Sequence, residues 1–111
     1  MKYTLITGAA SGLGKELARI YAENGNNLLL IDYDEENLNK VNEELKNKYN
    51  NLDFKIYCCD LSNIDNIKEV YKISKEHDMF INNLVNCAGF GDCKDFKDMD
   101  LDLQLKMVEV D

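Results

Sequence analysis

Apolar residues in this chain alternate between the spacing of β-strands and the spacing of α-helices four times in succession. Strand and helix patterns that alternate with short connections predict right-handed crossovers and a parallel sheet. The pattern therefore predicts an α/β domain in which each strand is followed by a helix. The predicted strands are residues 2–7, 26–32, 52–60 and 79–89.

The helical stretches contain apolar stripes and residues that favour helix ends. The first helix is predicted over residues 13–22, and Gly25 stands where a helix stop belongs. The second is predicted to begin after Asp34 as N-cap, and the third has Asp60 or Ser62 near its start. The stripes are Leu13, Leu17, Ile20 and Tyr21, then Leu38, Val41 and Leu45, then Ile64, Ile67, Val70 and Tyr71, with the start of a fourth helix predicted in residues 100–110.

Length and charge limit the classes of function. A chain of 111 residues can form one domain, and 45% hydrophobic with 31% charged residues is typical of a folded protein in water. The formal net charge of −8 argues against nucleic-acid or anionic-membrane partners, although backbone N–H groups can still bind a small anion. Residues 1–10 predict neither a signal peptide nor a membrane span, so the expected location is the cytoplasm.

The four cysteines, Cys58, Cys59, Cys87 and Cys93, do not have the spacing of a disulfide-rich secreted domain. We expect four reduced thiols, mostly buried, because free cysteine packs as a small apolar side chain. A zinc site that combines them with His77 is the alternative, which the lack of a C-x-x-C pair disfavours. No metal site is therefore predicted.

A glycine-rich segment, TGAASGLG at residues 7–14, connects the first strand to the first helix. Gly8, Gly12 and Gly14 permit a tight turn and let a pyrophosphate approach the backbone without a Cβ in the way. The phosphates would receive backbone N–H bonds and the positive end of the helix dipole. This context predicts a Rossmann-like, doubly wound sheet that binds a dinucleotide. The alternative is a glycine-rich turn without a ligand.

An acidic residue, Asp32, ends the second predicted strand. Its carboxylate can accept hydrogen bonds from both hydroxyls of an adenosine ribose, and its charge would repel a 2′-phosphate. No arginine follows it, since residues 33–36 are Tyr-Asp-Glu-Glu, and Ser11 in the glycine loop is uncharged. These residues favour NAD over NADP. The alternative role for Asp32 is an acid at a helix N-terminus, which Asp34 can fill equally well.

Polar and small residues also follow the third and fourth predicted strands. Asp60 can accept the amino group of an adenine, and the N–H of Leu61 can bond a ring nitrogen. The alternative for Asp60 is an N-cap for the following helix, and the two roles are compatible. Asn86, Ala88 and Gly89 end the fourth strand, where small residues allow a cofactor to pass close to the backbone.

These motifs together resemble the N-terminal part of a classical-type short-chain dehydrogenase/reductase. The loop resembles that family's Thr-Gly-x-x-x-Gly-x-Gly sequence, Asp32 its ribose-binding acid, and Asp60 with Leu61 its adenine-contacting pair. Residues 86–89 resemble its Asn-Asn-Ala-Gly motif, except that Cys87 cannot make the hydrogen bonds of an asparagine amide. The resemblance runs the length of the chain. It implies these cofactor-binding residues: Thr7, Gly8, Ser11, Gly12, Leu13, Gly14, Asp32, Tyr33, Asp60, Leu61, Asn86, Ala88 and Gly89.

The resemblance implies hydride transfer between a nicotinamide and a carbonyl or alcohol substrate. In the family a tyrosine is the acid/base, assisted by a lysine, and a serine orients the substrate oxygen. Those residues follow later strands, so no catalytic residue is expected in this chain. Residues 107–111 resemble a family run that ends in asparagine, where this chain has Asp111. Tyr71 and Lys75 have the spacing of the catalytic pair, but they precede residues 86–89 and are expected to belong to an ordinary helix.

We therefore expect residues 1–111 to be the N-terminal NAD(P)-binding part of one Rossmann-like domain, incomplete at about four βα units, truncated before the catalytic half and inactive alone. An exposed sheet edge is expected beyond the fourth strand. By resemblance, a homo-oligomer would form through later helices. The alternative function is a non-catalytic NAD-binding sensor or partner module. A flavodoxin-like domain is disfavoured because the loop has a dinucleotide glycine pattern.

Overall fold

The computed structural model describes residues 2–60, 64–87 and 93–97. Within these residues, five strands form one sheet and three helices pack against it. The elements are β1 (Lys2–Thr7), α1 (Gly12–Glu23), β2 (Asn27–Asp32), α2 (Glu35–Lys48), β3 (Phe54–Cys58), α3 (Ile64–Glu76), β4 (Phe80–Cys87) and β5 (Cys93–Lys97). The predicted alternation is confirmed through the fourth strand, and the predicted helix in residues 100–110 lies outside the described residues.

The sheet has the strand order β3-β2-β1-β4-β5. β1 pairs in parallel with β2 and with β4, and β2 pairs in parallel with β3. The chain therefore moves outward from β1 to β3 and then returns to the other side of β1, which creates a switch point between β1 and β4. This order confirms the predicted α/β architecture, and it brings the carboxyl ends of the parallel strands to one edge of the sheet.

Helices cover both faces of the sheet. Successive residues of a strand point to opposite faces, so one strand contributes to the packing on both. Leu28 and Leu30 of β2 pack in one core cluster with residues of α1 and α2, whereas Leu29 and Ile31 pack in a second cluster with Val70 of α3. All of these β2 residues are buried. The continuous apolar run predicted a strand buried on both faces, and this prediction is confirmed.

The buried stripe of α1 differs from the predicted one. Gly14, Ala18 and Ala22 are the buried residues of this helix, whereas Leu13 is 44% exposed and Ile20 is 40% exposed. A Cβ at Gly14 would overlap the backbone of Gly8, so the start of the helix lies in close contact with the glycine loop. The prediction that Leu13 and Ile20 lie on the packed stripe was wrong, because apolar spacing does not detect the close approach that glycine and alanine permit.

The end of α1 is formed by the predicted glycine. Gly25 has a φ of 86°, in the left-handed region that glycine adopts without steric cost. Its N–H donates to the Ala22 carbonyl at 2.9 Å, and the Asn26 N–H donates to the Tyr21 carbonyl at 3.1 Å. These two bonds form a Schellman motif, which pairs carbonyls that the end of the helix would otherwise leave without partners.

The start and the packing of α2 also agree with the prediction. The Asp34 carboxylate caps the helix by accepting a hydrogen bond from the Asn37 N–H at 3.2 Å. Leu38, Val41 and Leu45 are the buried residues of α2. The predicted N-cap and the predicted apolar stripe are both confirmed for this helix.

The Tyr71–Lys75 pair lies within α3, between β3 and β4. Val70 is buried against the sheet and Lys75 is exposed. The structure does not describe the side chains of Ile64, Ile67 and Tyr71, so the predicted stripe of this helix is confirmed only at Val70.

The sequence did not predict β5. This strand pairs antiparallel with β4, so the edge of β4 that we expected to be exposed is covered. Cys87 of β4 lies opposite Cys93 of β5, and the two form a disulfide. The expectation of four reduced thiols was therefore wrong for this pair. Antiparallel pairing brings residues that are 6 apart in sequence to opposing positions, which a strand prediction for β4 alone does not reveal.

The other two cysteines are free thiols. Cys58 is exposed and Cys59 is partly buried, so the expectation of mostly buried thiols was also wrong for Cys58. The reason is the position of β3 at an edge of the sheet, with Cys58 as its last residue. An apolar run alone does not distinguish an edge strand from a central one.

Candidate functional site

The candidate site lies where the carboxyl ends of β1, β2 and β4 meet. The glycine loop follows β1, Asp32 ends β2, and Asn86 lies near the end of β4. The chain adds β2 and β3 on one side of β1 and β4 on the other, so the loop after β1 lies at the switch point of the sheet. Ligands of open α/β sheets bind at such a point. Topology thus brings together three of the sequence motifs that were separate in the chain.

The three glycines of the loop have different structural reasons. Gly8 has a φ of 65°, and a Cβ there would lie 2.7 Å from the Cys87 carbonyl oxygen. A Cβ at Gly14 would overlap the Gly8 carbonyl. Only Gly12, with a φ of 59°, would direct a Cβ into open space, with nothing within 4 Å. The three glycines were predicted to permit a tight turn and the approach of a pyrophosphate, and the structure adds that Gly8 and Gly14 permit close contacts within the protein.

The first turn of α1 lies beside this open space. Ser11 is the N-cap residue, with extended backbone and no capping hydrogen bond from its side chain. The Ser11 carbonyl accepts from the Lys15 N–H at 3.3 Å, the first bond of the helix. The N–H groups of the first turn have no partner within the helix. No acidic side chain lies in that turn, and Leu13 is exposed there.

Asp32 makes hydrogen bonds that the sequence did not predict. One carboxylate oxygen, Oδ2, accepts from the Ala10 N–H of the glycine loop at 3.0 Å. The other, Oδ1, accepts from the Asp34 N–H at 3.0 Å, as in an Asx-turn. Tyr33, between them, is 78% exposed. The alternative role, an acid at the start of a helix, belongs to Asp34 in the structure, because Asp34 caps α2.

Thr7 and Asn86 connect β1 to β4 beneath the loop. The buried Thr7 hydroxyl donates to Asn86 Oδ1 at 2.6 Å and accepts from the Cys87 N–H at 3.0 Å. The sequence identified Thr7 and Asn86 as separate motif residues, and the structure makes them one hydrogen-bonded pair. Cys87 lacks an asparagine amide, but its backbone N–H and its disulfide to Cys93 both contribute to this junction.

The predicted adenine-contacting pair, Asp60 and Leu61, is described only in part. Asp60 follows β3, and its backbone carbonyl accepts from the Asn66 side-chain amide at 2.8 Å. The described part of α3 begins at Ile64, and the residues between Asp60 and this helix lie outside the described residues, so the alternative role of Asp60 as N-cap stays a prediction. Ser62, the other N-cap candidate, lies outside the described residues, as do three of the implied cofactor-binding residues: Leu61, Ala88 and Gly89.

Sequence reasoning did not connect Cys58 with this site. Parallel pairing places it opposite Asp32, and its Sγ donates to the Tyr33 carbonyl at 3.5 Å. Desolvation raises the pKa of the Cys58 thiol, and the nearby carboxylates, first that of Glu35, raise it further. The thiol is therefore a weak nucleophile at neutral pH. The signal that could have found it is strand register, since both residues end neighbouring strands.

The residues that the structure describes contain no group of three His, Cys, Asp or Glu side chains arranged to hold a metal ion. Among them there is also no helix long and apolar enough to span a membrane.

The sheet order and the glycine loop at the switch point define a Rossmann-like α/β protein. A family model described as short chain dehydrogenase matches residues 2–111, and the chain belongs to that family. It is 38% identical over 89 residues to a very-long-chain 3-oxoacyl-CoA reductase of Candida glabrata, covering 78% of this chain and 24% of the relative. It is 35% identical over 113 residues to dehydrogenase/reductase SDR family member 7B of Danio rerio, covering 97% and 36%.

Solved structures of other dehydrogenases share this fold. A bulky-bulky ketone specific alcohol dehydrogenase from Comamonas testosteroni has a TM-score of 0.70 at 28% identity, over 80% of this chain and 36% of that one. A short-chain dehydrogenase/reductase from Burkholderia phymatum in complex with NAD has a TM-score of 0.62 at 29% identity, over 68% and 26%. A short-chain dehydrogenase from Sphingobium yanoikuyae in complex with NADPH has a TM-score of 0.61 at 26% identity, over 68% and 29%.

The matched region is a fraction of each relative. The chain spans between 24% and 36% of the length of the two relatives named above. The family match over residues 2–111 includes the glycine loop, Asp32 and Asn86.

Proposed function

We propose that residues 2–111 bind a nicotinamide dinucleotide, NAD in preference to NADP, as one portion of an oxidoreductase. The complete enzyme would transfer a hydride between the nicotinamide and a carbonyl or alcohol substrate. The observation that carries this proposal is the open space at Gly12, beside the first turn of α1 and at the switch point of the sheet.

The pyrophosphate would bind at the glycine loop. Backbone N–H groups at Ser11, Gly12 and Leu13 are the donors, and the open space at Gly12 admits the phosphate oxygens. Gly8 and Gly14 support this site indirectly, because they let the loop pack against β4 and α1. The lack of an acidic side chain in the first turn of α1 also favours an anion there.

The adenosine would bind beyond the end of β2. Asp32 would accept the ribose hydroxyls, with Tyr33 exposed beside it. The carboxylates of Asp32 and Asp34 and of residues 35–36 would repel a 2′-phosphate, which is the basis for proposing NAD over NADP. Relatives of similar identity are seen with NAD and with NADPH, so the preference rests on these acids.

The remaining contacts would lie along the ends of β3 and β4. Asp60 and Leu61 would contact the adenine, and Thr7 with Asn86 would fix the backbone where the cofactor passes. Ala88 and Gly89 would form the close wall at the end of β4. When bound, a nicotinamide dinucleotide supplies the hydride donor or acceptor. We assign no catalytic acid or base to these residues, and the Tyr71–Lys75 pair belongs to α3 rather than to this site.

Titration of the chain with NADH and NADPH, followed by nicotinamide fluorescence, tests the proposal. We expect saturable NADH binding and an affinity for NADPH about tenfold weaker, which corresponds to about 1.4 kcal/mol of repulsion. Equal affinities would contradict the preference for NAD, and no binding of either would contradict the site. We also expect no carbonyl reduction by residues 1–111 alone, so steady NADH oxidation with a ketone substrate would refute the proposed absence of catalytic groups.

A second candidate function is a non-catalytic NAD-binding module. The pairing of β5 with β4 favours it, because β4 then has a neighbouring strand on each side and a strand of only 5 residues forms the edge of the sheet. Calorimetry of the chain separates the two. One cooperative unfolding transition that shifts upward with NAD supports a module, whereas aggregation without such a transition supports a portion of a larger enzyme.

A further inference from the structure

We propose that Asp32 is a positioning residue for the glycine loop as well as an acceptor for the ribose. Its replacement therefore weakens the binding of NAD and NADP together instead of exchanging one preference for the other. The role of Asp32 in the loop does not depend on a bound ligand, whereas its effect on NAD and NADP binding rests on the proposed function.

Three segments of the chain meet at Asp32. Its backbone carbonyl accepts from the Cys59 N–H at 3.1 Å, which fixes the end of β2 against the segment after β3. Its Oδ1 accepts from the Asp34 N–H at 3.0 Å, in the turn that leads to α2. Its Oδ2 accepts from the Ala10 N–H at 3.0 Å, in the glycine loop. One carboxylate thus links the loop to the turn that begins α2.

The bond to Ala10 matters because this residue is buried. Ala10 is 4% exposed and belongs to the core cluster that includes Ala9. A buried N–H group that loses its acceptor has no water to replace it. The preceding amide, Ala9 N–H, donates to the Ile31 carbonyl at 3.2 Å. Two successive loop amides are therefore tied to the end of β2, and the second depends on a side chain.

The carboxylate can hold the loop and accept a ribose at the same time. Its two oxygens offer about four acceptor sites, of which the Ala10 and Asp34 N–H groups use two. Asparagine in place of Asp32 would offer only one acceptor oxygen and would present an NH₂ group to the other backbone N–H. Among side chains of this size, only an ionised aspartate can satisfy both backbone donors.

This arrangement changes what a cofactor-switching substitution does. If repulsion of a 2′-phosphate were the only role of Asp32, its removal would raise NADPH affinity. Because the same carboxylate holds the Ala10 N–H, removal also releases the loop whose backbone N–H groups would bind the pyrophosphate. NAD and NADP share that pyrophosphate, so both lose affinity.

Asp32→Asn in the full chain, first without nucleotide, tests the positioning role. We expect the Ala10 amide to exchange with deuterium about tenfold faster, as for the loss of one hydrogen bond. The thermal midpoint should fall by about 4 °C or more. In the wild type, the Ala10 amide should be protected from exchange, because the Asp32 carboxylate accepts its hydrogen bond. Titrations with NADH and NADPH should then show weaker binding of both.

Asp34→Asn is the matched control. It removes a neighbouring negative charge but keeps an oxygen that can cap α2. It should leave the exchange of the Ala10 amide unchanged.

Unchanged Ala10 exchange and an unchanged thermal midpoint in Asp32→Asn would overturn the proposal, as would a gain in NADPH affinity. If Asp32→Asn does not fold, exchange of the Ala10 amide in the wild type decides the question, and an Ala10 amide that exchanges as fast as an amide without a hydrogen bond overturns the proposal. Failure of the wild type to bind either nucleotide refutes the proposed function, while the amide measurements still decide the role in the loop.

Discussion

The two ends of the parallel sheet use similar polar residues for different results. At the amino end, the Tyr3 hydroxyl donates to the Asp53 carboxylate, and the Asp53 N–H donates to Asn27 Oδ1 at 2.8 Å. At the carboxyl end, Thr7 and Asp32 also bond to backbone N–H groups. The first set joins strands to one another and closes the end of the sheet. The second holds backbone in place beside an open space.

This difference locates function within one small fold. At the amino end the polar groups bond to one another, and the Asn27 side-chain amide also donates to the Lys2 carbonyl at 3.2 Å. At the carboxyl end, side chains accept hydrogen bonds from some of the loop N–H groups. The N–H groups at the N-terminus of α1 have no partner within the helix. Glycine permits the remaining approach.

Gly8→Ala should have the largest effect on stability. The φ of 65° costs alanine about 1–2 kcal/mol. Overlap with the Cys87 carbonyl, 2.7 Å from the new Cβ, adds about 1–3 kcal/mol. We therefore expect a loss of about 3 kcal/mol in the free energy of unfolding, measured by urea denaturation without nucleotide.

Gly12→Ala is the matched control, because its φ of 59° is similar but its Cβ would meet nothing within 4 Å. It should lower stability by about 1–2 kcal/mol, from the backbone conformation alone. Its main effect should be on NADH affinity. Equal stability losses in the two variants would show that Gly8 has no special role in the contact with β4.

The disulfide between Cys87 and Cys93 should have an intermediate effect. Closing a loop with a sequence separation of 6 stabilises by about 2 kcal/mol through the entropy of the unfolded chain. Cys93→Ser should therefore lower the free energy of unfolding by that amount in the absence of reductant, and the wild type should lose it on reduction.

Alkylation of the denatured, unreduced protein provides the direct check. Two of the four cysteines, Cys58 and Cys59, should react. In the native protein their labelling should increase with pH up to strongly alkaline values, because burial raises the pKa of Cys59 to about 11. Labelling of all four without reductant would disprove the disulfide.

Tyr3→Phe should have the smallest effect, at the closed end of the sheet. Loss of the hydrogen bond to Asp53 should lower stability by about 1 kcal/mol at neutral pH. Burial, with the Asp53 carboxylate, raises the pKa of Tyr3 from 10.0 to about 12. Between these values the folded protein keeps a proton that the unfolded chain releases, so this contribution is present below pH 10 and is lost as the pH rises.

The difference in stability between wild type and Tyr3→Phe should therefore shrink between pH 10 and about pH 12. Urea denaturation of both proteins over this range measures it. A constant difference would mean that Tyr3 does not keep its proton in the folded state.

Much of the fold follows from local patterns. The apolar run of β2, the stripe of α2, the Asp34 cap and the Gly25 stop were all predictable, because each depends on residues within one or two turns. The stripe of α1 was not, since Gly14, Ala18 and Ala22 are buried by their smallness rather than by hydrophobicity. Local periodicity does not report how closely two elements approach.

Local sequence patterns were sufficient to predict the α/β class, the place of the glycine loop and the candidate residues Thr7, Asp32 and Asn86. How these residues bond to one another and to the loop depends on tertiary contacts. Asp32 bonds a residue 22 positions earlier, and Thr7 bonds one 79 positions later. Such pairs depend on strand order and register, which are fixed only when all strands assemble. They cannot be predicted from any single segment of the sequence. The role of each glycine and the pairing of β5 were decided in the same way.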